Sequence, residues 1–334
     1  MVNSFDPLMR ISSIGVPAIV ETRSFIKHWI ELPVFQSLIN SFNWHDTAEA
    51  HLNERIDALV DMSAEWDFRR RTAKTESMGA SNEATRWTSH GELLTEEQTQ
   101  AVKRAADELG LSKSSSPNHK NYRSALILGG ARLSCLLRTT WGTQVLEDGV
   151  SVENIVMLGS ERPIADSERD ATDTYAPDSR TEFDLFVDAG REVFKYDKSS
   201  YEGDRHDDAS PNLSWEIRRY PWKKQKQVLV ISAPSSDPQN RRANSADTYK
   251  FYIQREHLSE RDRLLLVTSP IYVPYQQLEA IRVITVPLGI HVETIGFPPD
   301  WRAELQGMQG AQHYLQEMRS FLQSSQRFLS AYPD

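Results

Sequence analysis

The sequence predicts an α/β protein: a three-layer α/β/α, Rossmann-like domain with a mostly parallel sheet, a helical N-terminal region before it and a C-terminal helix after it. Three observations predict this. Residues 123–138 read Arg-Ser-Ala-Leu-Ile-Leu-Gly-Gly-Ala-Arg-Leu-Ser-Cys-Leu-Leu-Arg, an apolar run ending in Gly129-Gly130 and followed at once by helical spacing at Leu133, Leu136 and Leu137. That is the pattern of a buried strand, a tight turn and a helix. From Tyr122 onward, strand-like and helix-like stretches alternate, as a parallel sheet with helices on both faces requires. The preceding residues carry helical periodicity. At 334 residues the chain can bury one large core or two modest ones. We divide it at 1–118, 119–300 and 301–334, the last expected to pack on the core.

The elements follow in order. Residues 16–42 carry Ile19, Phe25, Trp29 and Ile30 near helical spacing, interrupted by Pro33, which breaks or kinks a helix. Residues 48–68 place Leu52, Ile56, Leu59, Val60 and Trp66 on one stripe. The polar stretch 69–81 reads as a loop. Thr95-Glu-Glu-Gln98 is a capping box for a helix closed by Gly110, and 111–120 reads as a linker. Strands are expected at 124–128, 154–158, 227–231 and 264–267, with a last one at 282–286 or 292–295. Helices are expected at 133–146, 181–194, 243–255 and 274–281, and a final one over 301–332. About seventy residues separate the second and third strands, more than a crossover needs. An acidic insertion at about 161–215 fills the excess and reads as a mobile lid or a disordered excursion.

Composition narrows the function classes. The net charge is -9, and residues 161–210 hold 15 Asp/Glu against 7 Lys/Arg, a balance of -8 that leaves the rest near neutral. No basic stripe of the kind that binds nucleic acid is evident. The short cluster Arg218-Arg219-Tyr-Pro-Trp-Lys223-Lys224-Gln-Lys226 reads as the solvated approach to a strand. No apolar run approaches the roughly 20 residues that span a bilayer. The N-terminus lacks the apolar core of a secretory signal. With one cysteine, Cys135, no internal disulfide forms, so a reducing, cytoplasmic location is expected.

In open α/β sheets ligands bind beyond the carboxyl ends of the strands. There this chain collects Gly129 and Gly130 with Arg132 and Arg138, then Gly159 and Ser160 with Glu182 at the next helix start. Ser232 with Asn244 follows, then Thr268 and Ser269. Hydroxyls, amides and arginines together suit a small phosphate- or carboxylate-bearing ligand. Each residue also has a structural reading. The glycines permit close strand–helix packing, the arginines can be solvated, Asn244 can cap a helix, and Glu182 can face a helix dipole. Cys135 reads as a packed helix residue. The Gly-x-Gly-x-x-Gly fingerprint, the Walker A motif and the Gly-x-Ser-x-Gly elbow are all missing. The nine histidines contain no His-x-His or His-Glu-x-x-His pair, so no metal is expected; Asp204-Arg-His206-Asp207-Asp208 reads as a solvated loop.

The order of these motifs resembles the DUF218 family of YdcF/SanA-like proteins. The matches are Leu128-Gly129-Gly130, Arg138, Leu158-Gly159-Ser160, Thr181-Glu182, Asn244-Ser245-Ala246-Asp247 and Val267-Thr268-Ser269, spread over residues 122–297. Where that family often carries His and Arg after Val-Thr-Ser, this chain has Tyr272, Pro274 and Tyr275. The resemblance implies a nucleotide-like ligand, with S-adenosylmethionine suggested for YdcF-like members and cell-envelope roles for SanA-like ones; the SanA-like role usually comes with a membrane anchor, which is not expected in this chain.

The functional expectation is an enzyme, a transferase or hydrolase, acting on a nucleotide-like or phosphorylated small molecule. Gly129, Gly130, Gly159, Ser160, Ser232, Thr268 and Ser269 would line the ligand site, Arg138 would neutralise charge, Glu182 would be the acid/base and Asn244 would orient the substrate. One alternative is a non-catalytic nucleotide or S-adenosylmethionine sensor; another is a biosynthetic hydrolase or transferase acting on an amino acid or peptide. No nucleic-acid or membrane partner is expected, and the sequence sets no oligomeric state.

Overall fold

The computed structural model describes residues 9–46, 49–67, 94–196, 198–206, 210–223, 226–307 and 309–333. The polar stretch 69–81, Asp207, Asp208 and Lys224 lie outside them. The chain forms two compact units: one from Met1–Lys113, Pro270–Arg282 and Gly307–Asp334, the other from Ser114–Ser269 and Val283–Gln306.

The first unit is helical. It holds α1 (Val16–Glu31), α2 (Pro33–Ser41), α3 (Leu52–Met62) and α4 (Glu96–Glu108). It also holds α9 (Val273–Ala280) and the C-terminal α10 (Ala311–Ala331). Pro33 does not kink a continuous helix but starts a new one, at the first helical position where a missing N–H costs nothing. The Thr95/Gln98 capping box is made in both directions, and Gly110 closes α4 at φ +82°. α10 packs against α3, α4 and α9. Its buried face meets Trp29, whose ring centroid lies 4.3 Å from that of Phe321.

The second unit is a seven-stranded, mostly parallel sheet in a three-layer α/β arrangement. Its strands are β1 (Asn121–Leu128), β2 (Ser151–Leu158), β3 (Ser200–Asp204), β4 (Trp215–Trp222), β5 (Lys226–Ser232), β6 (Arg263–Thr268) and β7 (His291–Gly296). Their order is β3-β4-β5-β2-β1-β6-β7, with only the β3/β4 and β4/β5 pairs antiparallel. Near-continuous burial along β1, β2, β5 and β6 reflects cover on both faces. Ala125, Ile127, Ile155, Met157, Val228, Val230, Leu265 and Val267 meet α5 (Ser134–Glu147) and α7 (Glu182–Phe194) on one face. On the other, the hydroxyls of Ser124 and of Tyr252 from α8 (Ser245–Arg255) lie 2.6 Å apart.

The structure differs from the sequence reading at four places. The segment 282–286 is not a strand: α9 continues through a π turn (Ile281–Thr285) and a last turn (Val286–Leu288), closed by Gly289 at φ +67°. Its β-branched run mimics a strand, but β propensity yields to burial context. The last strand is β7, which matches the alternative expected at 292–295. The basic cluster at 218–226 is itself β4, leading into β5. Within the acidic insertion lie α6 (Asp166–Thr172) and β3. Aromatic contacts account for the order there, with Tyr196 stacked on Tyr220 at a centroid distance of 3.6 Å. Finally, the last helix begins at Ala311, and a separate short turn (Ala303–Leu305) precedes it.

Candidate functional site

The connection from β1 leads to β2 on one side, while the connection from β5 crosses back to β6 on the other side of β1. The strand order therefore reverses between β1 and β6, the place where open α/β sheets bind ligands beyond the carboxyl ends of their strands. Gly129-Gly130 follows β1, and Ser269 follows β6.

Arg138, buried on α5, spans these two loops. Its Nε donates to Ser269 Oγ at 3.1 Å, and its Nη1 donates to Leu128 O at 2.8 Å and also to Gly129 O. A Cβ on Gly130 would sit 2.8 Å from Ser134 Cβ and 3.0 Å from Arg138 Nη1, so only glycine lets the turn close over this arginine. A Cβ on Gly129 would overlap the Glu182 carboxylate and lie 2.9 Å from Leu158 O. The two glycines thus separate a carboxyl group from a guanidinium.

Glu182 is the first residue of α7. The helix is seated by the loop after β2: Glu182 N donates to Arg162 O at 2.9 Å and Phe183 N to Ser160 O at 3.0 Å. Gly159 is required there, because a Cβ would lie 3.0 Å from Phe183 Cα. Ser160 Oγ donates to Glu182 Oε1 at 3.2 Å, and Arg162 Nε lies 3.5 Å from Glu182 Oε2. Burial raises the Glu182 pKa above the ordinary carboxylate value, outweighing the opposing pull of Arg162, the Ser160 hydroxyl and Arg138. The carboxyl group is therefore able to hold or release a proton under milder conditions than a solvated one.

Cys135 lies beneath the turn, its Sγ–H donating to Gly130 O at 3.3 Å. Burial, and secondarily Glu182, push its thiol upward, so it stays protonated and packed. Tyr175, after α6, reaches Arg132 O at 3.5 Å, and burial together with Cys135, Asp188, Glu168 and Glu182 raises its phenol.

Of the residues expected from sequence, Gly129, Gly130, Gly159, Ser160, Glu182, Arg138 and Ser269 gather around the turn after β1, Arg138 and Ser269 on its β6 side and Gly159, Ser160 and Glu182 on its β2 side. Three others have different partners or surroundings. Asn244 caps α8, its Oδ1 accepting from Asp247 N at 3.1 Å while Asp247 accepts from Asn244 N. Ser232 is buried and donates to Glu161 Oε1 at 2.7 Å. The Thr268 hydroxyl is buried with no hydrogen-bond partner. Sequence reasoning placed Arg162 after the second strand but gave it no role; it binds Glu168 at 2.9 Å while approaching Glu182. Its position directly after β2 was the available signal. Glu168 and Tyr175 were hidden by their place in the acidic insertion. Among the described residues, no group of three or more His, Cys, Asp or Glu could hold a metal ion, and no helix is long and apolar enough to cross a membrane.

The fold is that of an open, mostly parallel α/β sheet, and the candidate site residues gather at the turn after its β1 strand. The family described as Rv3785 N-terminal domain matches residues 18–110. The proteins named "Uncharacterized protein Rv3785" of Mycobacterium tuberculosis and "Uncharacterized protein Mb3814" of Mycobacterium bovis are each 30% identical to this chain over 329 residues, covering 94% of it and 91% of the relative. The chain belongs to the Rv3785 family. No solved structure matches it. These findings overturn the resemblance to DUF218: the matching family reaches the helical N-terminal part, and the relatives align along nearly the whole chain. The motifs behind that resemblance have a general cause. Glycines at a strand–helix turn and Thr or Asn at a helix start serve any open α/β sheet.

Proposed function

We propose that this protein is a small-molecule enzyme that binds a phosphorylated or nucleotide-like ligand beside the Gly129-Gly130 turn and uses Glu182 as its acid/base group. The observation that carries the reading is the placement of the Glu182 carboxyl and the Arg138 guanidinium on either side of Gly129-Gly130. Backbone N–H groups at the start of α5 and the arginine favour an anion, and a carboxyl of raised pKa beside it can transfer a proton. Arg162 would hold Glu182 in place, and Ser160 would orient its proton. The single cysteine, buried and unpaired in a disulfide, supports a cytoplasmic location.

A thermal-shift screen against inorganic phosphate, pyrophosphate, nucleotides and sugar phosphates tests the binding half. A ligand at a hundred times its Kd adds about 2.7 kcal/mol. That shift is expected in the wild type and absent in Gly130→Ala. If no phosphate-bearing compound shifts the wild type, the reading is wrong. A second reading, a non-catalytic sensor, is favoured by Arg138, which spends bonds on Leu128 O, Gly129 O and Ser269. Glu182→Gln separates the two, since an enzyme loses turnover and a sensor has none to lose.

A further inference from the structure

The same carboxyl edge carries a second cationic feature, on the β3–β4 side. Glu216 pairs with Ser232 across β4 and β5, which places it on the α7 face of the sheet. Its carboxylate is 1% exposed and lies between two arginines. Arg218 Nε donates to Glu216 Oε1 at 2.5 Å, and Arg205 Nη2 donates to Glu216 Oε2 at 2.7 Å. The Arg218 guanidinium also rests over the Phe183 ring, 5.3 Å from its centroid, one residue after Glu182.

One arginine is enough to neutralise a buried carboxylate, and here there are two. Arg205 binds Glu216 through a single nitrogen and is 63% exposed, so a planar, bidentate face of its guanidinium remains toward solvent. A guanidinium held at one corner by a buried carboxylate is pre-organised and loses little entropy on meeting a phosphate or carboxylate. Glu161, whose charge also acts on Arg205, accepts the Ser232 hydroxyl. From Gly129 at the end of β1 to Glu216 on β4 is three strand spacings, by way of β2 and β5. At the usual spacing that is about 14 Å.

We propose that Arg205 and Arg218, positioned by Glu216, form a second anion subsite, so that the site takes an elongated ligand with two anionic groups, one at the Gly129-Gly130 turn and one at this arginine pair. The proposal rests on the turn being the first anion site, as argued above. A nucleoside phosphate extended by a second acidic group has this form; inorganic phosphate would satisfy either end alone.

The test uses alkane chains with a phosphonate at each end, in a series of lengths, and methylphosphonate as the single-ended probe. Each is titrated calorimetrically into the full chain, into Arg205→Gln and into Gly130→Ala. Arg205 is exposed, so its replacement leaves the fold intact. In the wild type, affinity is expected to peak at the spacer that reaches about 14 Å and to exceed that of methylphosphonate at least tenfold, as two linked contacts do. Arg205→Gln should abolish the peak and leave methylphosphonate binding at the turn. A flat dependence on length, the same in wild type and Arg205→Gln, overturns the second subsite. Binding lost in Arg205→Gln but unchanged in Gly130→Ala supports the arginine pair as an anion site and overturns the turn as the first one.

Discussion

Each unit of this protein buries a glutamate among arginines, and the two carboxylates come out opposite. In the helical unit, Glu279 on α9 accepts from Ser324 Oγ at 2.6 Å, from Arg327 at 2.6 and 3.0 Å, and from Arg282 at 2.6 Å. Burial alone would raise its pKa, but Arg327, Ser324 and Arg282 together overcome that and hold it low. In the sheet unit, Glu182 has a hydroxyl at 3.2 Å and an arginine nitrogen at 3.5 Å, and burial prevails. Neighbouring arginines are present in both. The number and length of the bonds decide which way the carboxyl titrates. Glu279 is a fastener between α9 and α10, satisfied on both oxygens. Glu182 is buried with fewer and longer bonds than Glu279, a weaker arrangement for a structural residue and a useful one for a proton-transfer group.

Exchanging each carboxylate for its amide breaks the comparison most directly. Glu182→Gln should lower turnover by about 10²- to 10⁴-fold, the usual worth of general acid/base catalysis, while leaving the denaturation midpoint at neutral pH unchanged or higher. Glu279→Gln should do the reverse. It removes charge-assisted bonds of about 1.5–3 kcal/mol each but leaves two arginines that reach water, so a net loss of about 2 kcal/mol is expected. Urea unfolding followed by circular dichroism measures both. Equal destabilisation by the two variants would mean that Glu182 is structural as well, and the assignment of function to it would fall.

A smaller effect sharpens the role of the glycine turn. Gly129→Ala pushes a methyl group into the Glu182 carboxylate and toward Leu158 O, both on the rigid carboxyl edge. Overpacking of this kind costs about 1–3 kcal/mol. Glu182→Gln cannot relieve the approach to the backbone oxygen, so the double variant should stay destabilised. Additivity of the two substitutions in a double-mutant cycle would show that Gly129 and Glu182 are not coupled.

The two units were unequally legible in the sequence. Helices α1 to α4 follow from apolar spacing and from cap chemistry at Thr95 and Gly110, and β1, β2, β5 and β6 follow from buried runs ending in small or hydroxyl residues. Local signals of this sort are written into neighbouring residues. The site was legible as an address, because every strand end of a parallel sheet faces the same edge. Its internal wiring was not. Asn244 as a cap of α8 could be read locally from Asp247 three residues on, but nothing local says that Arg162 bridges Glu168 and Glu182. That bridge depends on how α6 and α7 fold back on the loop after β2. The hairpin β3–β4 was missed for the same reason: its acidic and basic residues, read singly, look solvated, whereas Glu202 with Arg255 and Glu256 with Arg219 pair across elements. Charge composition alone cannot distinguish a disordered stretch from one whose charges are matched by distant partners.

The smallest effect is the most specific to the comparison, because its sign differs between the two carboxylates. Glu279 has a folded pKa below its unfolded value, so it contributes stability above the unfolded pKa near 4.5 that is lost as pH falls through the folded value. Glu182 has a folded pKa above 4.5, so the folded state binds its proton more tightly than the unfolded chain does. Its contribution is fully present below 4.5 and is lost as pH rises through the folded pKa. Subtracting the stability of the wild type from that of Glu182→Gln across pH 4 to 8 should give a curve that rises with pH and then levels off. The same subtraction for Glu279→Gln should grow more negative as pH rises from the acid side and be flat near neutrality. A flat curve for Glu182→Gln would mean that its carboxyl titrates as a solvated one, and its claim to the acid/base role would rest on position alone.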